Sequence, residues 1–381
     1  MGKQTVDLIH GEIRSNLLRF ALPLFLGQLF QQLYNMADAL VVGNYLGQDA
    51  LAAVTSTGSL IFLVVGFFGG MFSGVGVVIA RSFGAQDGPM TRRAVGTAVS
   101  FALIAGGIMT LLGTVGCAPL LRLMGTPEEV LPLAVSYMRT YFFGAVFVAL
   151  YNSASGIFQA VSDSKRPLYY LVISSITNIV MDIVFVGFCK MGVAGAALAF
   201  FRLSRIDGLH RVTLRGICID RPLLREMLRI GLPSGVQNSV IAFANVIVQS
   251  SVNSFGAAAM AGNGAYMKLE GFAFIPINAF CAAVTTFVSQ NIGAQQFDRV
   301  KKGATFGIGF SCLCAAVIGV IFSAFAPTFI RMFGKAPEAV AAGVLRARIC
   351  SLAYMLLALS HGIAAVCRGA GYSKIPMFIM L

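Results

Sequence analysis

The chain has 381 residues, of which 57% are apolar and only 11% are charged, whereas soluble domains carry about 25% charged residues. This composition excludes an ordinary soluble globular protein. The formal net charge of +13 does not indicate a nucleic-acid partner, because most Lys and Arg lie in clusters that alternate with long apolar windows. By the positive-inside rule, this alternation predicts a multi-pass helical protein of the plasma membrane with a cytoplasmic N-terminus.

Nine apolar segments are long enough to cross about 30 Å of hydrocarbon as helices. In chain order they are 17–42, 51–80, 94–116, 131–160, 168–189, 230–252, 260–291, 303–327 and 338–367. Residues 191–201 are also apolar, but a helix of that length reaches only about 16 Å. We therefore predict a short helix there that does not cross the membrane.

The remaining motifs argue against catalysis. The Gly-rich stretch GFFGGMFSGVG, residues 66–76, lacks the G-K-[ST] ending of a phosphate loop and instead predicts closely packed helices. The eight Cys form no C-x-x-C motif, and the three His are too dispersed for a metal site. We expect no enzyme activity, no cofactor and no metal.

An internal repeat divides the chain into two halves. Four pairs of segments match at an offset of 209 or 210 residues: LRFALP with LRIGLP, SFGAQD with NIGAQQ, LLRLMGTPEEV with FIRMFGKAPEAV, and SKRP with SKIP. Because the basic clusters match as well, the copies are predicted to be parallel repeats. We assign an N-terminal lobe to 1–201, a basic cytoplasmic linker to 202–229 and a C-terminal lobe to 230–381.

Two aspartates stand alone at membrane depth in the first half. Asp38 is the only charged residue between Phe20 and Gln48, and Asp182 is the only one in 167–189. An ionisable side chain at that depth costs roughly 2.5–3.5 kcal/mol, so such residues are rare and are functional candidates.

Each aspartate has a polar neighbour four residues earlier, on the same helix face: Tyr34 before Asp38 and Asn178 before Asp182. If the two faces meet, the carboxylates can bind a proton or a small cation reversibly. The alternative is two separate structural acids, each hydrogen-bonded to a backbone or hydroxyl group.

The second half carries a more neutral polar set. Its candidates for a substrate cavity are Gln237, Asn245, Gln249 and Glu270. For the amides the alternative, which we favour, is hydrogen bonding between helices, and for Glu270 it is an acid that snorkels to the membrane surface. Pro23 and Pro233 occupy matching places near the start of a span, where each would kink its helix or act as a hinge.

With these motifs in place, the chain resembles the multidrug and toxic compound extrusion (MATE) transporters. The resemblance rests on YNMADALVVGNYLGQDALAAV, on GAQ in each half, on the SKRP and SKIP loops, and on NIVMDIVFV followed by MGVAGAALA. It implies twelve helices in two lobes around a central cavity. It also implies export of drug-like compounds, typically organic cations, in exchange for H⁺ or Na⁺.

The resemblance further implies that Asp38, Asp182, Tyr34 and Asn178 belong to a polar cluster in the N-terminal lobe, together with Tyr137 and Asn152. The chain departs from the family pattern, since about nine full spans replace twelve: the sixth helix is largely absent and the last two are missing.

We expect a monomer in the lipid bilayer with a small-molecule substrate and no nucleic-acid partner. Two alternatives remain: a flippase for lipid-linked oligosaccharides, which would show a strongly cationic cavity, and a remnant that does not transport.

Overall fold

The computed structural model describes residues 5–45, 47–123, 131–187, 219–332 and 336–380, and for some helical residues, among them 34–45, 47–60 and 177–187, it describes only the backbone. Regular structure in the described ranges is entirely helical. The expected all-α membrane fold is therefore confirmed.

The described residues of the first half form seven helices. They are α1 (Ile13–Tyr45), α2 (Gly47–Gly84), α3 (Gly88–Val115), α4 (Cys117–Leu123), α5 (Leu131–Phe143), α6 (Ala145–Ala160) and α7 (Lys165–Gly187). The second half adds six more in the described residues. They are α8 (Arg221–Asn253), α9 (Ala257–Gly293), α10 (Phe297–Ala324), α11 (Ala326–Arg331), α12 (Pro337–Gly369) and α13 (Lys374–Met380).

Six helices in the described residues are long and apolar enough to cross a membrane, or up to seven if the bent pair α5–α6 is one span. The segment 131–160, predicted as one helix, is broken by a bend of 47°. At Gly144 the hydrogen bonds of the helix change from i→i−4 to i→i−3. The Gly144 amide donates to Tyr141 O, and the Phe147 amide donates to Gly144 O. Similarly, the predicted span 303–327 ends at Ala324, where α10 gives way to α11.

The boundary of the predicted linker also shifts. Helix α8 already begins at Arg221, so 221–229 is helical rather than linker. Asp220 caps the helix by accepting a hydrogen bond from the Leu223 amide, and a proline occupies the first turn, which are strong signals for a helix start. The short helix predicted at 191–201, like most of the linker, lies outside the described residues.

The two halves repeat each other down to single backbone angles. Gln86 and Gln295, which follow α2 and α9, both adopt a left-handed conformation, with φ of 55° and 58°. Ser162 and Gly371, before α7 and α13, do so as well, with φ of 64° and 87°. In both pairs the offset is that of the sequence repeat, so α1–α7 and α8–α13 are structural counterparts.

Each half takes the first helix of the other half into its core. One buried cluster combines α2–α6 with the start of α8, including Met227 and Ile230. The other combines α9–α12 with the start of α1, including Leu17 and Phe20. The halves are therefore interlocked at the ends where α1 and α8 begin.

Glycines bring α2 and α8 into backbone contact. A β-carbon at Gly70 would collide with the backbone of Ser234 and Gly235, and one at Gly74 would collide with the backbone of Gly231. This is the close packing that the sequence of 66–76 predicts.

Candidate functional site: a cavity between the two halves

A cavity of about 440 Å³ lies between the halves and is bounded by α2, α6, α8, α9 and α12. Its lining is rich in small and polar residues. The polar members are Ser73, Asn152, Ser155, Gln159, Ser234, Gln237, Asn238, Asn278, Thr285, Thr286, Ser289, His361 and Arg368. A lining of this kind suits a small amphiphilic molecule, with polar groups to orient it.

One end of the bundle is closed by contacts between the halves. We call this end the base; it comprises the turns 85–87, 161–164, 294–296 and 370–373. The side-chain amide of Gln290 in α9 donates to Ala160 O at 2.6 Å and to Ser162 Oγ at 2.8 Å, which joins the two halves.

The segment before α1 adds two further ties at the base. The Val6 amide donates to Ser162 O at 3.1 Å, and Asn291 Nδ2 donates to Leu8 O at 3.1 Å. The base is thus sealed by hydrogen bonds from three parts of the chain.

A positive charge distinguishes the described lining of the cavity. Arg368 lines it, whereas no acidic side chain in the described part of the chain does, and His361 lies in the same lining. Arg368 makes no hydrogen bond or ion pair with the described residues. His361 Nδ1 lies 3.0 Å from Leu357 O, and because a carbonyl can only accept, Nδ1 carries the proton.

Several hydroxyl groups of the lining already donate to helix carbonyls. Ser73 donates to Gly70 O, Thr285 to Cys281 O and Ser289 to Gly369 O. Consequently, the donors that remain for a ligand are chiefly the N–H groups of Arg368 and of Asn152, Gln159 and Asn278.

The predicted cavity residues of the second half are scattered. Gln237 lines the cavity, whereas Asn245 is exposed on α8 and is not part of the lining. Gln249 Oε1 accepts from Asn263 Nδ2 at 2.8 Å, a bond between neighbouring helices.

Glu270 lies away from the cavity lining, within the second half. Its Oε1 accepts from Tyr266 Oη at 2.7 Å, and that hydroxyl lies 3.1 Å from Tyr354 Oη of α12. Glu270 therefore belongs to a hydrogen-bonded contact between α9 and α12.

Among the predicted coupling residues, Asn152 lines the cavity. The side chains of Tyr34, Asp38, Tyr137, Asn178 and Asp182 lie outside the described residues. Pro23 and Pro233 both lie inside their helices, α1 and α8.

The backbones of α1 and α7 do show how the two aspartate-bearing helices are arranged. They run in the same direction, since Val6 before α1 donates to Ser162 before α7, and Gly27 further along α1 meets Leu171 further along α7. A β-carbon at Gly27 would lie 3.7 Å from Leu171 Cδ2 of α7.

Sequence reasoning overlooked Arg368 and His361 as cavity residues. From the sequence alone, Arg368 belongs to the last basic cluster, which the positive-inside rule places outside the hydrocarbon core. A signal was nevertheless present: His361, Ala364 and Arg368 follow the i, i+3, i+7 spacing of one helix face, and all three line the cavity.

Comparison with known proteins places this architecture in a family. The protein-family model described as MatE matches residues 23–184 and 233–381 of this chain. The probable multidrug resistance protein YoeA of Bacillus subtilis (strain 168) is 28% identical over 381 residues, covering 95% of this chain and 82% of YoeA. A FAD transporter of Shewanella oneidensis is 24% identical over 352 residues, covering 88% of this chain and 78% of that protein.

Among solved structures, one described as the outward-facing conformation of a multidrug resistance MATE family transporter has a TM-score of 0.89 at 23% identity, covering 100% of this chain and 88% of that one. These relatives are multi-pass membrane transporters rather than enzymes. The family model covers most of the chain, and the repeat and the cavity agree with it. The chain belongs to the MatE family.

Proposed function

We propose that this protein exports small amphiphilic molecules through an antiport driven by H⁺ or Na⁺, with Asp38 and Asp182 as the coupling carboxylates. The substrate occupies the cavity between the halves, and the coupling ion occupies the first half. The observation that carries this proposal is the arrangement of α1 and α7.

The register of these helices supports a shared site. Gly27 and Leu171 mark a point where α1 and α7 are in contact. Asp38 follows Gly27 by 11 residues, and Asp182 follows Leu171 by the same number. A β-carbon at Gly27 would also lie 3.8 Å from Leu168 Cδ1, so the contact fixes the register to within about one turn. About 11 residues make three helical turns and a rise of about 16 Å, so each aspartate returns to the face of its contact residue, at equal height to within about that turn.

Two carboxylates at equal height on adjacent helices repel each other in a poorly hydrated interior, and a bound cation relieves that repulsion. Binding is therefore reversible and depends on the ion gradient. One charge moving down about 100 mV yields roughly 2.3 kcal/mol, enough for about a fiftyfold substrate gradient. Such a mechanism needs no ATP site.

The remaining expectations stay predictions. They include the cytoplasmic N-terminus, the plasma-membrane location, the monomeric state, the lobe boundaries and an organic cation as substrate. The names of the relatives support export of multidrug type, and one relative is a FAD transporter, whose named substrate carries phosphate groups. An anionic substrate is thus a second candidate within the same function.

Ion-driven transport into proteoliposomes tests the proposal. We would measure accumulation of two fluorescent probes, cationic ethidium and anionic 1-pyrenebutyrate, under an imposed pH or Na⁺ gradient. Wild-type protein should accumulate at least one probe against its gradient. Asp38→Asn and Asp182→Asn should each abolish ion-driven accumulation, because asparagine keeps the shape but cannot carry the charge.

Asp298→Asn is the matched control, because Asp298 is an exposed acid at the start of α10. It should transport like the wild type. Undiminished ion-driven transport in both Asp38→Asn and Asp182→Asn would contradict the assignment. Movement of neither probe by the wild type would favour the non-transporting remnant.

A further inference from the structure

We propose that the cavity binds its substrate by an anionic group, a carboxylate or a phosphate, through the guanidinium of Arg368. This inference rests on the proposed function and specifies the substrate class: an amphiphilic anion rather than a simple organic cation.

The charge of the described lining is the first reason. Arg368 is half-buried, and a cation partly removed from water is costly to maintain without a partner of opposite charge. Arg368 lines the cavity, yet it has neither a hydrogen bond nor an ion pair among the described residues. An anionic ligand would supply the missing partner, whereas a cationic ligand would add repulsion.

The geometry of donors is the second reason. A guanidinium presents a planar fork of N–H groups that matches carboxylate and phosphate oxygens in a bidentate way. Around it, Ser289 and Thr285 have committed their hydroxyl hydrogens to backbone carbonyls. The side-chain amides of Asn152, Gln159 and Asn278 are the neighbouring groups that can donate to further oxygens.

His361 extends the same surface. It lies seven residues before Arg368, on the same face of α12, and both line the cavity. Because Nδ1 donates to Leu357 O, Nε2 of the neutral ring is an acceptor, which can take a hydrogen bond from a hydroxyl or amide group of the ligand. The rings of Phe274 and His361 pack edge to face with their centroids 6.2 Å apart, and this contact holds the imidazole in place.

A purely structural role for Arg368 is the competing explanation. The residue lies in the last turn of α12, where positive charge interacts favourably with the helix dipole. That role does not depend on the charge of a ligand, so ligands that differ only in their head group separate the two explanations.

The experiment measures equilibrium binding of three fluorescent ligands to the purified full chain: 1-pyrenebutyrate, 1-pyrenebutanol and 1-pyrenebutylammonium. They share the ring and chain and differ in charge. We expect the butyrate to bind about tenfold more tightly than the butanol, in line with a charge-assisted hydrogen bond, and the ammonium to bind most weakly. Tightest binding of the ammonium would overturn the proposal.

Arg368→Gln should weaken binding of the butyrate about tenfold and leave the butanol unchanged within about twofold. Arg368→Lys, which keeps the charge, should retain most of the preference. Arg348→Gln is the matched control, since Arg348 is exposed on the same helix. Equal weakening of all three ligands by Arg368→Gln would assign Arg368 a structural role.

If Arg368→Gln does not fold, the order of the three ligands on the wild type still decides. Binding also separates this inference from the coupling mechanism, because Asp38→Asn should keep the butyrate preference. Loss of ion-driven transport with that preference intact would leave the anion site standing. Intact coupling with no preference for the butyrate would overturn the anion site alone.

Discussion

Asp163 is a buried acid at the base, in the turn between α6 and α7. It has no exposed surface, its Oδ1 accepts from the Arg166 amide at 3.1 Å, and its Oδ2 lies 3.2 Å from Arg166 Nε. Burial raises the pKa of Asp163 above its usual 3.8, and the contacts with Arg166 offset only part of that effect. The carboxylate thus fixes the turn while its charge is disfavoured.

The pH dependence follows from the sign of this shift. A raised pKa means that the folded state holds the proton more tightly than the unfolded state, so the free energy of unfolding falls as pH rises above about 3.8 through the folded value. Asp163→Asn keeps the acceptor and cannot ionise. Its melting temperature in detergent should therefore improve relative to the wild type as the pH rises above about 4.

Asp163→Ala tests the hydrogen bond itself at a fixed pH. Alanine removes the acceptor of the Arg166 amide and should lower the free energy of unfolding by about 1 kcal/mol. A wild type that gains stability over Asp163→Asn as pH rises would contradict the role assigned to burial.

Individual site residues were only partly predictable. Asp38 and Asp182 are recognisable from sequence as candidates, because an isolated charge in a long apolar helix is costly and therefore informative, and their coupling role stays a prediction. Arg368 was not, because a basic residue near the end of a span is typical of the membrane surface. Whether it faces the cavity or the headgroups depends on how α12 packs against α9 and α10.

At the scale of helices, the contact between α2 and α8 depends on the absence of side chains. Gly70 meets the backbone of α8, whereas the adjacent Gly69 has open space where a β-carbon would lie. The two residues form a natural pair, since they share a helix and an intrinsic helix propensity and differ only in their surroundings.

Gly70→Ala should therefore lower stability by about 1–3 kcal/mol, because the added methyl forces the two helices apart. Gly69→Ala should be neutral or slightly stabilising, since alanine favours the helix by about 1 kcal/mol. Thermal unfolding in detergent measures both. Equal melting temperatures for the two variants would show that the helices adjust without cost.

Helices were easier to predict than their ends. Long apolar windows identified the main helices, since the bilayer imposes a minimum length. The bend at Gly144 was not predicted, because the hydropathy of 131–160 is continuous and carries no signal of the change in hydrogen bonding there. The start of α8 at Arg221 was missed for the opposite reason: charge suggested a linker, while the cap at Asp220 and the proline in the first turn begin a helix.

At the scale of the molecule, the repeat predicted two related halves but not their interlocking. A sequence repeat defines which residues correspond, whereas the packing of α1 against α9 and of α8 against α2 is a tertiary property. The interlocked base also matters for function. If the proposed export works by alternating access through the base, the bonds of Gln290 to the first half must break in each cycle.

The central claim is that Asp38 and Asp182 meet on adjacent, parallel helices, and cysteine cross-linking tests it most directly. In a background with the native cysteines replaced by serine, the pair Asp38→Cys and Asp182→Cys should form a disulfide on mild oxidation. The pair Gly27→Cys and Leu171→Cys is the positive control, because those positions are in contact. The pair Asp38→Cys and Leu168→Cys, about four turns apart in height, should not cross-link. A cross-link in the positive control, with none between positions 38 and 182, would contradict a shared ion site.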